Sequence, residues 1–114
     1  WENLRRMEFE PVDSSRFEAP QLARRVIETG GTAGAILNAA NEAAVAGFLD
    51  RCIAFTRITE LVREALDAFD AAPVRSLDDV MRADRAAREF VRERLPTQIQ
   101  AGRPADLAAA QAEP

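Results

Sequence analysis

Residues 37–49, Leu-Asn-Ala-Ala-Asn-Glu-Ala-Ala-Val-Ala-Gly-Phe-Leu, make a helix-length run in which two asparagines and a glutamate interrupt an otherwise apolar sequence. With about 100° between successive residues of a helix, Leu37, Ala44 and Phe48 form one stripe and Asn41 projects into its middle. An amide at the centre of a packing face must find hydrogen-bond partners or lose roughly 1–3 kcal/mol. The sequence therefore predicts a buried polar clamp, with Asn41 tied to backbone or side chains of another segment and Asn38 and Glu42 nearer its edge. On that reading, leucine in place of Asn41 destabilises the fold.

The flanking sequence supplies more helices. Pro20 suits the opening of a first helix that carries Leu22, Ala23, Val26 and Ile27 on one face and stops at Gly30-Gly31. A second begins around Thr32 to Ala33 and runs to about Asp50; apolar residues cover much of its circumference, so it is expected to be the most buried. Gly47, where a helix loses roughly 1 kcal/mol against alanine, is expected to mark a close approach to a neighbouring backbone. Thr56 is the expected cap of a third helix, in which Ile58, Leu61, Val62, Ala65, Leu66 and Phe69 recur at helical spacing. Ser76-Leu77-Asp78-Asp79 resembles a capping box with aspartate in place of glutamate, opening a fourth helix that reaches about Leu95. Its expected buried side is Leu77, Val80, Met81, Ala87, Phe90 and Val91, and Asp84–Arg88 and Arg85–Glu89 are spaced as ion pairs.

The fold class is therefore all-α, a bundle of about four helices preceded by a short extended strand segment. Residues 7–11 alternate apolar and acidic and stop at Pro11, as an edge strand would, yet no second strand is evident to pair with it. The expected division is an extended segment and loop over 1–17, the bundle over 18–95 and a loosely held tail over 96–114. A chain of 114 residues opening on Trp1 reads as one domain from a longer protein.

Composition removes several functions. Histidine, tyrosine and lysine are absent, and with them the commonest metal ligand and general base. The net charge of −4, with fifteen arginines dispersed along the chain, gives no basic stripe, so no nucleic-acid partner is expected. No apolar run approaches the roughly 20 residues of a membrane span. Cys52 stands alone and reads as a small buried thiol. Asp78 and Asp79 sit where a helix N-terminus favours negative charge, and no further carboxylate completes a cage with Asp84. Gly30-Gly31-Thr32-Ala33-Gly34 follows no strand and precedes no lysine, so it joins two helices rather than holding phosphate. Ser14 and Ser15 have no histidine to activate them. No catalytic, cofactor-binding or metal-ligating residue is assigned; Asn38, Asn41 and Glu42 are assigned a structural role.

The run LNAANEAAVAGFL, preceded by ETGGTAGAI and followed by IAFTRITELV, resembles the C-terminal part of the 1-deoxy-D-xylulose 5-phosphate reductoisomerases. The order of its surroundings is similar to theirs as well. An MEFEP segment precedes an Asp13-to-Phe17 loop, Leu22-Ala23 leads to the Gly-Gly turn, and SLDDVMRADRAARE, residues 76–89, looks like the closing helix. The likeness covers about residues 7–92. It departs at Glu18-Ala19-Pro20, where proline usually follows the loop aromatic directly, at Ala43, where a larger aliphatic is common, and at Gly47, where alanine is common.

The resemblance implies a cytoplasmic, homodimeric enzyme of the non-mevalonate isoprenoid pathway. Such an enzyme converts 1-deoxy-D-xylulose 5-phosphate to 2-C-methyl-D-erythritol 4-phosphate with NADPH and magnesium or manganese. It also implies that the NADPH-binding and catalytic parts lie upstream of this chain, that they are its partners, and that this chain alone is inactive. Residues 7–10 would then belong to the sheet of the central part. The competing reading is an independent helical module that binds another protein through an exposed apolar face.

Overall fold

The computed structural model describes residues 6–96, and these form four helices with no strand among them: α1 Ala19–Thr29, α2 Ala33–Leu49, α3 Phe55–Ala68 and α4 Leu77–Arg94. Local chemistry sets most of the helix ends. Pro20 lies in the first turn of α1, where its missing N–H is no loss. Gly30 and Gly31, at φ 67° and 55°, turn the chain into α2. Ser76 and Asp79 close a reciprocal capping box at the start of α4: the Asp79 N–H donates to the Ser76 hydroxyl at 3.3 Å and the Ser76 N–H to Asp79 Oδ2 at 3.1 Å. The third helix departs from expectation. It opens at Phe55, with Ala54 at the extended cap position (φ −75°, ψ 157°), so Thr56 is already inside the helix and caps nothing.

The centre of the bundle is α2, with α1, α3 and α4 packed on it. Ile36, Leu61 and Val91 are its largest fully buried side chains, joined by Leu22, Ile58, Val62 and Leu66. What α2 gives the interior is mostly alanine: Ala39, Ala40 and Ala44 are wholly buried and Ala43 nearly so. Methyl groups in those positions let neighbouring helices come close, because interaxial distance follows the size of the side chains between them. Thr32, at the start of α2, is paired with Ala72 in the α3–α4 connector, and at its end Gly47 faces Leu95 at the end of α4. The two helices therefore run in the same direction. A Cβ on Gly47 would lie 2.7 Å from Leu95 Cδ2, so the close approach is by a side chain and not by the backbone that was expected.

Four expected core positions face outward. Ile27 is 79% exposed and Leu77 75%, and Met81 is exposed too. Of the predicted face of α1 only Leu22 is buried and Val26 half-buried, with Ala23 open to solvent. The alternating segment at 7–11 forms no strand, and Met7, Phe9 and Val12 are exposed. A lone extended segment has no ladder to join. Of the tail expected from Pro96 onward, only Pro96 lies within the described residues.

Candidate functional site

The central helix α2 carries one ionisable side chain in its 17 residues, Glu42. Asn38, one turn before it, donates through Nδ2 to Glu42 Oε1 at 3.1 Å. Arg88 on α4 donates through Nη2 to Glu42 Oε2 at 2.7 Å, and holds Asp84 with two further bonds, Nε to Oδ2 at 2.8 Å and Nη2 to Oδ1 at 3.0 Å. The result is a continuous polar edge from Asn38 through Glu42 and Arg88 to Asp84, linking α2 to α4. Arg88 is its hub. The arginine bond, with the Asn38 bond second, lowers the pKa of Glu42; the Arg88 bonds likewise lower that of Asp84; and the two carboxylates together raise that of Arg88.

Sequence reasoning placed Asn41 inside this arrangement, and the structure does not. Asn41 is exposed, and its amide makes no hydrogen bond among the described residues. The buried-clamp reading is therefore corrected. The helix is rotated so that its alanines face inward, and the stripe of Leu37, Asn41, Ala44 and Phe48 falls on the border of the packed face. Ala44 is buried there, Leu37 and Phe48 are half-buried, and Asn41 is outside. Asn38 and Glu42 are exposed as well, at the edge where they were expected, and are joined to each other. The Asp84–Arg88 pair is present as spaced, whereas Arg85 and Glu89 form no pair among the described residues.

Two tertiary contacts escaped the sequence. Arg88 reaches Glu42 across 46 positions, and the buried Thr32 clasps Ala72 across 40. In that clasp the Ala72 N–H donates to Thr32 Oγ1 at 3.0 Å and the Thr32 N–H to the Ala72 carbonyl at 2.9 Å. No local pattern encodes either. The remaining candidates are tied up locally: the Ser15 hydroxyl donates to Asp13 Oδ1 at 2.6 Å, and the Cys52 thiol is half-buried beside the Asp50 carbonyl at 3.7 Å. Among the described residues no group of three or more His, Cys, Asp or Glu is placed to hold a metal ion.

What the molecule offers instead is a surface. Gly34, Asn38, Asn41, Val45 and Leu49 follow one another along the outer side of α2 at helical spacing, exposed apart from the half-buried Val45 and wholly uncharged.

The sequence model of the DXP reductoisomerase C-terminal domain matches residues 1–90. The chain belongs to that family. A 1-deoxy-D-xylulose 5-phosphate reductoisomerase of Pseudomonas putida is 45% identical over 90 residues, 79% of this chain and 22% of that protein. The reductoisomerase of Anaeromyxobacter dehalogenans is 44% identical over 92 residues, 81% of this chain and 24% of that protein. Among solved structures, the reductoisomerase of Zymomonas mobilis in complex with NADPH superimposes with a TM-score of 0.76 at 41% identity, over 85% of this chain and 26% of that one. The chain thus spans about a quarter or less of the length of the reductoisomerases it matches.

Proposed function

We propose that this chain serves as the helical C-terminal domain of a 1-deoxy-D-xylulose 5-phosphate reductoisomerase and acts there as a support. The subunit that carries it isomerises 1-deoxy-D-xylulose 5-phosphate and reduces the product with NADPH to 2-C-methyl-D-erythritol 4-phosphate, using magnesium or manganese, as a cytoplasmic homodimer. The observation that carries this reading is the pairing of close identity with small coverage: 45% over most of this chain, in 22% of the relative. Residues 6–17 lead in from the central part and 18–95 form the bundle; of the division's last stretch, 96–114, only Pro96 lies within the described residues. The bundle packs on the NADPH-binding and central parts of its own subunit and keeps catalytic elements in place. Asn38, Asn41 and Glu42 have structural roles in that packing.

The residues described here do not fit the metal or the dinucleotide. They contain no grouped ligands for a cation, and their one glycine-rich turn joins two helices with no strand before it. No chemical step is therefore assigned to this chain. Neither nucleic acid nor membrane is among the proposed partners; no described helix is long and apolar enough to cross a membrane.

The test is a coupled assay of NADPH oxidation with substrate and manganese. The product of the whole reading frame should turn over and this 114-residue chain should not. Turnover by the chain alone would refute the supporting role. A start codon directly before Trp1 would refute the reading altogether and leave an independent interaction module.

A further inference from the structure

We propose that the uncharged outer row of α2, centred on Asn41, is the surface on which the remainder of the reductoisomerase subunit docks, with the Asn41 amide bonded to main-chain groups of that remainder. The inference rests on the functional reading above and names the surface through which it works. A helix face that stays in water normally carries charge. All four helices follow that pattern: α1 exposes Arg24 and Glu28, α3 exposes Asp67, α4 exposes Asp78, Arg82, Arg85 and Glu89, and α2 exposes Glu42, beside the row. The row Gly34, Asn38, Asn41, Val45, Leu49 has none, and Leu49 at its end is 71% exposed.

The charges beside the row are already compensated. Glu42 is bonded to Arg88, and Arg88 to Asp84, so covering this face strands no lone ion in a low-dielectric contact. The same chain of bonds fixes Asn38 through Glu42, which lowers the ordering cost of using it in an interface. Asn41 has two N–H donors and a carbonyl acceptor with no partner among the described residues. A primary amide matches a peptide group, donor to acceptor and acceptor to donor, so exposed backbone is its fitting counterpart.

The occupant follows from length. The match covers 26% of the Zymomonas mobilis chain, so roughly three quarters of such a subunit is available to lie against this face. Another exposed apolar cluster, Val74, Leu77 and Met81, is interspersed in sequence with the exposed charges Arg75, Asp78 and Arg82, as a solvated patch would be. It therefore serves as the control.

The experiment compares this chain with the full-length product of its reading frame, each as wild type, as Asn41→Arg and as Met81→Arg. Hydroxyl-radical footprinting reports on Leu49 and Val45, and thermal melting reports on stability. In the wild type, oxidation of Leu49 and Val45 should fall several-fold on going from this chain to the full-length subunit. Asn41→Arg should leave the melting point of this chain unchanged, because the position is exposed, yet lower that of the full-length subunit by several degrees and restore Leu49 oxidation. Met81→Arg should do neither.

Equal oxidation of Leu49 in both wild-type forms, a tolerated Asn41→Arg in the full-length subunit, or disruption by Met81→Arg alone would overturn the assignment while leaving the functional reading intact. So would a wild-type chain that is dimeric by light scattering and becomes monomeric with Asn41→Arg, since a second copy would then be the occupant. Failure of the functional reading shows differently, as a full-length product with no NADPH-dependent turnover.

Discussion

Alanine in place of Gly31 should be the most damaging glycine-to-alanine change among the described residues. The residue lies at φ 55°, where a side chain costs roughly 1 kcal/mol. A Cβ there would overlap the Ala72 carbonyl oxygen, far inside van der Waals contact, and lie 3.0 Å from its carbon. That carbonyl belongs to backbone and is not free to swing aside: it accepts the Thr32 N–H at 2.9 Å while its own residue's N–H donates to Thr32 Oγ1 at 3.0 Å. Relief requires the connector to retreat by roughly 1 Å, given ordinary contacts near 3.5 Å, which carries both bonds out of hydrogen-bonding range. Each bond contributes about 1 kcal/mol net, and Thr32 is buried, so water does not replace them there. The sum is a loss of ~3–4 kcal/mol, the backbone cost included.

Urea denaturation measures this as a fall in the midpoint at constant slope. Gly34→Ala is the matched control, since a Cβ there meets no atom within 4 Å and the residue is helical, so stability should rise by up to about 1 kcal/mol. If Gly31→Ala came within about 0.5 kcal/mol of the parent, the range of an ordinary surface change, the Thr32–Ala72 clasp would not be holding the connector.

Two further outcomes follow from the packing and the polar edge. Arg88 depresses the pKa of Glu42 and of Asp84, so the stability these groups confer is present above their ordinary values, 4.5 and 3.8, and is lost as pH falls through their lower values in the folded chain. The melting temperature should therefore hold from neutral pH to about 4.5 and decline below it, less steeply with Arg88→Gln; an identical acid decline in that variant would show that Arg88 is not the hub. Ala44 is wholly buried where α2 meets its neighbours, and Ala44→Leu should cost ~1–3 kcal/mol through overpacking, measured by calorimetry. An unchanged melting point would mean that the alanine face is not closely packed.

All the helix boundaries but the start of α3 were legible, because their determinants are local. Pro20, the Gly30-Gly31 turn and the Ser76–Asp79 box each act within a few residues of the end they define. The orientation of α2 was not legible. Its residues are apolar nearly all round, so periodicity offers no single inward face, and choosing by size puts Leu37 and Phe48 inside and carries Asn41 with them. Packing chose by smallness instead, burying Ala39, Ala40, Ala43 and Ala44 so that the other helices could approach. Leu77, Met81 and Ile27 show a related ambiguity. Helical spacing marks a residue as belonging to an apolar face but does not say whether that face meets the domain's own core.

The polar edge was hidden for a different reason. Asp84 and Arg88 are one helical turn apart and could be paired from spacing alone, but Glu42 joins them only because α2 and α4 lie side by side. That tertiary contact changes the meaning of the composition. In a chain with 30% charged residues, the single charge on α2 is neutralised by a partner from another helix, and what else is exposed on α2 is glycine, amide, alanine and leucine. A buried amide would have explained Asn41 within this domain. An exposed one, set in an uncharged row on a chain that matches about a quarter of its relatives' length, is what the proposed docking of the rest of the subunit on that row would account for.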